Sequence, residues 1–131
     1  MILHLVRATT WRTCREEATY APDGYETEGF VHCSPDDEVM LVVANRYYAD
    51  ADDEVLVLGL DELRLTSDVR WEAPSPPGRD RDDSEGASPA HPLAAVRFPH
   101  VYGPLDVPAV VEVRRLVRDD GRYVGYEPWE G

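Results

Sequence analysis

The fold class is indicated by three consecutive segments near the end of the chain: Val107-Pro108-Ala109-Val110-Val111-Glu112-Val113-Arg114-Arg115-Leu116-Val117, Asp119-Asp120-Gly121-Arg122 and Tyr123-Val124-Gly125-Tyr126. The first segment is a long apolar-rich run, and its charged residues occupy the positions expected to face solvent. An aspartate–glycine pair between two such runs is typical of a tight β-hairpin turn. The stretch therefore predicts two antiparallel strands joined by that turn.

Upstream of the hairpin, apolar runs predict strands at residues 2–6, 30–33, 54–60 and 69–72. The run at 54–60 is apolar without alternation, which is expected of a strand covered on both faces. Short helices are predicted at residues 11–18, capped by Thr9, and from Ser34 to about Tyr48, with Ser34 as the cap. Helices in the first half and strands in the second favour an α+β fold with mostly antiparallel, curved sheets.

Residues 73–92 differ in composition from the rest of the chain. They hold five prolines with Gly, Ser, Asp and Arg, and almost no large apolar side chain. Such a composition predicts a flexible loop, because it offers little apolar surface to bury. The segment after it is too short to fold alone, so residues 1–131 are predicted to form a single domain with this insertion.

Charge and cysteine content exclude several classes of protein. The chain has 26 acidic and 13 basic residues, a formal net charge of −13. Such a surface repels phosphate backbones, so duplex nucleic acid is not an expected partner, although a few arginines in a cleft still suit a small anionic ligand. Cys14 and Cys33 form no Cys-x-x-Cys pair, which excludes a zinc ribbon and a Cys-x-x-Cys redox motif. No apolar run approaches the length of a membrane span. We expect a cytoplasmic protein without a signal peptide or a membrane partner.

Three of the four histidines lie in short apolar segments that are predicted to be strands: His4, His32 and His100, the last within Phe98-Pro99-His100-Val101-Tyr102-Gly103. Histidine is a poor strand former and titrates near neutral pH, so three such strands suggest one polar cleft with these residues as its catalytic groups. The alternative is that they are buried histidines bonded to backbone carbonyls. A metal site is not expected, because the spacing offers no His-x-His or His-x-x-x-His pair.

A cleft of this kind would also need groups that bind the ligand. Tyrosine and serine hydroxyls suit sugar hydroxyls, and arginines suit phosphates by bidentate contacts. The spacing of Arg70 and Glu72 places both on one face of their strand. The candidate ligand-binding residues are Arg7, Ser34, Arg46, Arg70, Glu72 and Tyr102.

Several of these segments together resemble the bacterial family catalogued as domain of unknown function 952. The segments are Ile2-Leu3-His4-Leu5, Glu28-Gly29-Phe30-Val31-His32-Cys33-Ser34, Val43-Ala44-Asn45-Arg46-Tyr47-Tyr48, Val69-Arg70-Trp71-Glu72 and Phe98-Pro99-His100-Val101-Tyr102-Gly103-Pro104-Leu105. The resemblance covers almost the whole chain except the insertion at residues 73–92. The family in turn resembles the ADP-ribosyltransferase superfold, including its RNA 2′-phosphotransferases and rifamycin ADP-ribosyltransferases.

The resemblance implies two small facing sheets with a nicotinamide–ribose cleft between them, and NAD as a substrate. In that superfold a first-strand histidine contacts the nicotinamide ribose, which His4 matches. A second-strand residue packs on the nicotinamide, where His32 and Ser34 lie. A late-strand glutamate often orients the ribose, but residues 98–111 contain none. Glu72 and Glu112 remain the alternatives for that role.

Three classes of function follow from these observations. The first is an enzyme that uses NAD or handles ADP-ribose, an ADP-ribosyltransferase-like transferase if it is catalytic. The second is a sensor that binds a nucleotide or metabolite without turnover. The third is an interaction module whose acidic surface binds a protein partner. Consumption of bound NAD separates the first two, whereas the third predicts that partner binding survives replacement of all three histidines.

Overall fold

A computed structural model describes residues 1–74 and 95–131, and the predicted loop at residues 73–92 falls outside them except for Ala73 and Pro74. The described chain is a mixed α+β structure, as the sequence predicted. Its strands are Ile2–Arg7 (β1), Thr19–Tyr20 (β2), Val31–His32 (β3), Val55–Leu60 (β4), Asp68–Glu72 (β5), Phe98–Tyr102 (β6), Leu105–Asp106 (β7), Val110–Asp119 (β8) and Arg122–Pro128 (β9). Its α-helices are Ala8–Cys14 (α1), Tyr25–Glu28 (α2) and Asp37–Tyr47 (α3), with single 3-10 turns at Glu62–Arg64 and Val107–Ala109.

The described strands form three antiparallel sheets. Four strands pair in the order β1-β4-β8-β9, three in the order β3-β6-β5, and β2 pairs with β7. The four- and three-stranded sheets are joined where Leu3 and Ser34 exchange two backbone hydrogen bonds of 2.9 and 2.7 Å. This confirms mostly antiparallel sheets with few short helices. It also places β1 next to the start of the three-stranded sheet.

The hairpin predicted at residues 107–126 is present, but its first strand is shorter than expected. Asp120 and Gly121 both have positive φ, 51° and 77°, which is the conformation of a two-residue hairpin turn. Asp119 pairs with Arg122 across that turn. The strand begins at Val110 rather than at residue 107, because Pro108 lies in a 3-10 turn and has no N–H to give to a β-ladder.

Both predicted helix caps are wrong. Helix α1 begins at Ala8, and Thr9 does not cap it: its N–H and hydroxyl donate to the Asp53 carboxylate at 3.1 and 2.8 Å. Helix α3 is capped by Asp36, whose carboxylate accepts from the Val39 N–H at 2.9 Å. Ser34 is two residues too early to cap, because its backbone is engaged in the bridge to β1.

The core lies on both sides of the four-stranded sheet. All six residues of β4 are buried, as the uninterrupted apolar run predicted. One face packs under α3, through Met40 and Ala44, and the other under α1, through Trp11. Strand β1 alternates between the two faces, and His4 falls on the same side as Ile2 and Val6. None of the helices described is long and apolar enough to cross a membrane.

Candidate functional site

A cavity of about 330 Å³ opens where β1, residues 20–34, α3 and the start of β6 meet. Five of the residues predicted from the sequence line it: His4, Arg7, His32, Ser34 and His100. Register explains part of this meeting, because His32 and His100 are directly paired across β3 and β6. The other four predicted residues do not line the cavity: Arg46, Arg70, Glu72 and Tyr102.

His4 is buried to 5% exposure and has only one of its two ring nitrogens paired among the described residues. Nδ1 lies 2.8 Å from the carbonyl oxygen of His32. A carbonyl only accepts hydrogen bonds, so Nδ1 carries the proton and Nε2 is an acceptor. That Nε2 is buried and meets no partner in residues 1–74 and 95–131. Burial lowers the pKa of His4 to about 4, and the ring is therefore neutral at pH 7.

The carboxylate beside His32 belongs to Glu28, a residue that the sequence reasoning did not select. Glu28 Oε2 is in close contact with His32 Nε2, and its side chain is only 8% exposed. The contact arises because Gly29, with φ of 85°, ends α2 and turns the chain back into β3. A glutamate followed by glycine at the end of a short helix was the available signal. It was part of the segment quoted for the family resemblance.

His100 is held in place by a hydrogen bond to Glu72 and by stacking against the Phe30 ring. Its Nδ1 donates to Glu72 Oε1 at 2.8 Å, and the Tyr102 hydroxyl donates to the same oxygen at 2.5 Å. These two bonds hold the pKa of Glu72 below its usual value, with the Tyr102 bond the larger cause. Burial lowers the pKa of His100, against the opposing pull of Glu72. The Phe30 ring stacks on the imidazole at a centroid distance of 4.2 Å.

Two of the predicted arginines lie away from the cavity lining. The Arg70 guanidinium sits over the Tyr102 ring, 4.6 Å from its centroid, and donates to Asp68 at 2.9 Å. Arg46 lies on α3 near the Tyr47 ring, 6.0 Å from its centroid. Arg70 therefore contacts the groups that hold His100, rather than the space where a ligand would lie.

Six aromatic residues that were not predicted also line the cavity. Four tyrosines contribute to it, Tyr20, Tyr25, Tyr47 and Tyr48, and Arg7 is its basic residue. The Arg7 guanidinium is 5.9 Å from the centroid of the Tyr48 ring. Burial raises the pKa of Tyr48, so its hydroxyl remains a donor at neutral pH. Aromatic walls with a few polar groups are typical of sites for small organic ligands.

Neither Glu112, offered from the sequence for the glutamate role, nor a nucleophilic role for Cys33 finds support at this cavity. Glu112 lies on β8 opposite Gly59 and pairs with Arg114 at 3.1 Å, away from the cavity. Cys33 is buried, and burial raises the pKa of its thiol, which disfavours a thiolate nucleophile. Both cysteines are free. No group of three or more His, Cys, Asp or Glu in the described ranges is arranged to hold a metal ion.

The profile of the family described as "Protein of unknown function (DUF952)" matches residues 5–113. The chain belongs to the DUF952 family. The matched residues include every described residue that lines the cavity except His4, which precedes the match by one position. None of the curated proteins matches this DUF952 chain.

Solved structures of one bacterial protein share the fold of the DUF952 chain. The crystal structure of protein CC0527 from Caulobacter crescentus is 21% identical, with a TM-score of 0.67, covering 93% of this chain and 90% of that one. The solution NMR structure of CC0527 is 20% identical, with a TM-score of 0.66, covering 93% and 89%. At this identity the likeness shows the fold alone. What the DUF952 cavity binds must be argued from its own side chains.

Proposed function

We propose that the cavity binds the ribosyl end of an NAD- or ADP-ribose-type nucleotide. The observation that carries the proposal is the buried Nε2 of His4, an acceptor with no partner in the described chain. A buried polar atom without a hydrogen bond costs about 1–3 kcal/mol. Nε2 is shielded from water in the ligand-free protein, so the ligand must displace cavity side chains to donate a hydroxyl to it. That bond would recover the cost, and the resemblance to the superfold assigns a ribose contact to this strand position.

The size of the cavity supports a nucleoside-sized group rather than a whole dinucleotide. A volume of about 330 Å³ is at the small end of ligand sites. The aromatic walls suit a planar ring, and Arg7 suits a phosphate where the nucleotide continues out of the cavity. In this arrangement the nicotinamide and its ribose enter, and the adenosine part remains outside.

The chemistry that fits the site is cleavage of a glycosidic bond, either NAD hydrolysis or ADP-ribosyl transfer. Such reactions pass through a ribose with oxocarbenium character, which a nearby carboxylate stabilises. Glu28 is the buried carboxylate at the cavity, in contact with His32. We propose that Glu28 takes the role for which the sequence offered Glu72 or Glu112. NAD is the substrate, and the proposal requires no metal. We also propose that the sheets are arranged as in the ADP-ribosyltransferase superfold.

The test is NAD binding by isothermal titration calorimetry, together with nicotinamide release followed by chromatography. We compare wild type with His4→Asn, which can still donate to the His32 carbonyl but lacks Nε2. Losing one hydrogen bond of about 1 kcal/mol should weaken NAD or ADP-ribose binding about 5- to 10-fold. Glu112→Gln is the matched control and should bind like wild type. Absence of binding by wild type at millimolar ligand would refute the proposal.

Two other functions are separated by the same measurements. Binding without nicotinamide release would assign the cavity to a nucleotide or metabolite sensor. No binding, with a protein partner retained after replacement of His4, His32 and His100, would favour an acidic interaction module. The net charge of −13 is the observation behind that third function.

A further inference from the structure

We propose that His100 is the proton-accepting residue of the cavity, and that Glu72, Tyr102 and Arg70 are positioning residues that hold it. This inference rests on the proposed function for its reaction. It differs from the sequence interpretation, which placed the same three residues in contact with the ligand.

The orientation of the His100 ring follows from its partners. Nδ1 donates to Glu72, which is not among the residues that line the cavity, whereas His100 is. The two nitrogens lie on different edges of the ring, so the edge that carries Nε2 is turned away from Glu72. With the proton fixed on Nδ1, Nε2 holds a lone pair and acts as an acceptor.

Glu72 is itself fixed by other side chains. Its Oε1 accepts from His100 and Tyr102 together, and Arg70 covers the Tyr102 ring. Register makes this possible, because Arg70 is paired with His100 and Asp68 with Tyr102 across β5 and β6. A carboxylate that orients an imidazole and stabilises its protonated form is the arrangement that supports general-base catalysis.

The step assigned to His100 is the activation of a nucleophile. A water or acceptor hydroxyl gives its proton to Nε2 while its oxygen bonds to the anomeric carbon of the ribose. The bond from that carbon to the nicotinamide nitrogen breaks, and its electron pair neutralises the pyridinium. Glu72 then balances the charge of the imidazolium. Of the two histidines paired across β3 and β6, His32 is the one in contact with Glu28.

The charged and titratable groups that surround His100 determine how its pKa responds to substitutions. Charged or titratable groups face it from β5, through Glu72 and Arg70, from β3, through His32, and from α2, through Glu28. Tyr102 is on β6 itself. Of these, Glu72 is the carboxylate bonded to the ring, so its charge should have the largest effect on the titration of His100.

The test begins with nuclear magnetic resonance of the ring nitrogens in the ligand-free protein. We expect His100 in the Nδ1–H tautomer at pH 7. Glu72→Gln retains an oxygen that can accept from Nδ1 but removes the charge, so the pKa of His100 should fall. Tyr102→Phe should shift it less, and Glu112→Gln, on the other sheet, should leave it unchanged. An Nε2–H tautomer, or a titration indifferent to Glu72→Gln, would overturn the proposal.

Turnover adds a readout that a purely structural role would not move. Glu72→Gln should lower kcat for nicotinamide release by about 10- to 100-fold, with KM nearly unchanged. The acid limb of the pH–rate profile should move with the pKa of His100. If NAD is neither bound nor cleaved while His100 keeps the expected tautomer and Glu72 dependence, the proposed function fails and the positioning of His100 stands. If NAD is cleaved and Glu72→Gln has no effect, the assignment of His100 fails alone.

Discussion

The buried His4 should make the protein markedly less stable between pH 6.5 and pH 4. Its pKa falls from 6.5 in the unfolded chain to about 4 in the folded protein, chiefly because burial penalises the charged ring. The folded state therefore favours neutral His4. This contribution is complete above pH 6.5 and is lost as the pH falls through 6.5 towards 4. At about 1.4 kcal/mol for each pH unit, the loss by pH 4 is about 3 kcal/mol.

Urea unfolding measures this loss directly. Tryptophan fluorescence, to which the buried Trp11 of α1 contributes, reports the transition at pH 7, 6, 5 and 4.5. The matched variant is His4→Asn, which cannot titrate in this range. His4→Asn is expected to be less stable at pH 7, so the informative quantity is the change with pH. Wild type should lose about 2 kcal/mol more than the variant between pH 7 and pH 4.5.

Other titrating groups do not produce a difference in pH-dependent stability between wild type and His4→Asn. His100, whose pKa is also lowered, contributes in the same direction to both proteins. Asp37, Asp53 and Glu72 have lowered pKa values, so their contributions are lost only as the pH falls below the ordinary range of carboxyl groups. If wild type and His4→Asn lose stability equally between pH 7 and pH 4.5, then His4 is not buried in its neutral form.

Three further changes test the fold, each by the midpoint of urea unfolding. Asn45 exchanges hydrogen bonds with the backbone N–H and C=O of Tyr123 at 2.8 and 3.0 Å, so Asn45→Ala should cost about 2 kcal/mol; a cost below about 0.5 would contradict that link. Gly121→Ala should cost about 1 kcal/mol because φ is +77°, whereas Gly125→Ala, with open space around it, should be neutral; equal effects would refute the turn geometry. Asp36→Ala removes the cap of α3 and should cost about 1 kcal/mol, and no loss would mean that another residue caps the helix.

The parts of the fold that follow from local chemistry could be predicted from the sequence. The turn at Asp120-Gly121 is decided by residues that accept positive φ, and β4 by an apolar run that both faces can bury. The helix caps could not be predicted, because Ser34 and Asp36 are both good capping residues. What decides between them is the backbone pairing of Ser34 with Leu3, a contact made over 31 positions of sequence.

The residues that line the candidate cavity could be predicted where residue type alone is informative, but not where strand pairing determines the contacts. Three histidines in strands were recognisable, and all three line the cavity. The contacts of Glu28 and Glu72 with histidines depend on structure that no local pattern specifies. Glu28 reaches His32 because Gly29 reverses the chain, and Glu72 reaches His100 because two strands pair in one particular register. The sequence could show that Glu72 shares a face with Arg70, but not that this face supports a histidine.

The hydrogen bonds of the histidine ring nitrogens distinguish a purely structural role of these residues from a ligand-binding role. If they were only buried core residues, each ring nitrogen that is shielded from water should have a partner in the protein. Nδ1 of His4 satisfies this condition through the His32 carbonyl, and Nδ1 of His100 satisfies it through Glu72. Nε2 of His4 does not, within the described chain, and it lies on a residue that lines the cavity. An apolar side chain at this position would avoid the cost. A ligand that donates a hydrogen bond to Nε2 would supply the partner that residues 1–74 and 95–131 do not.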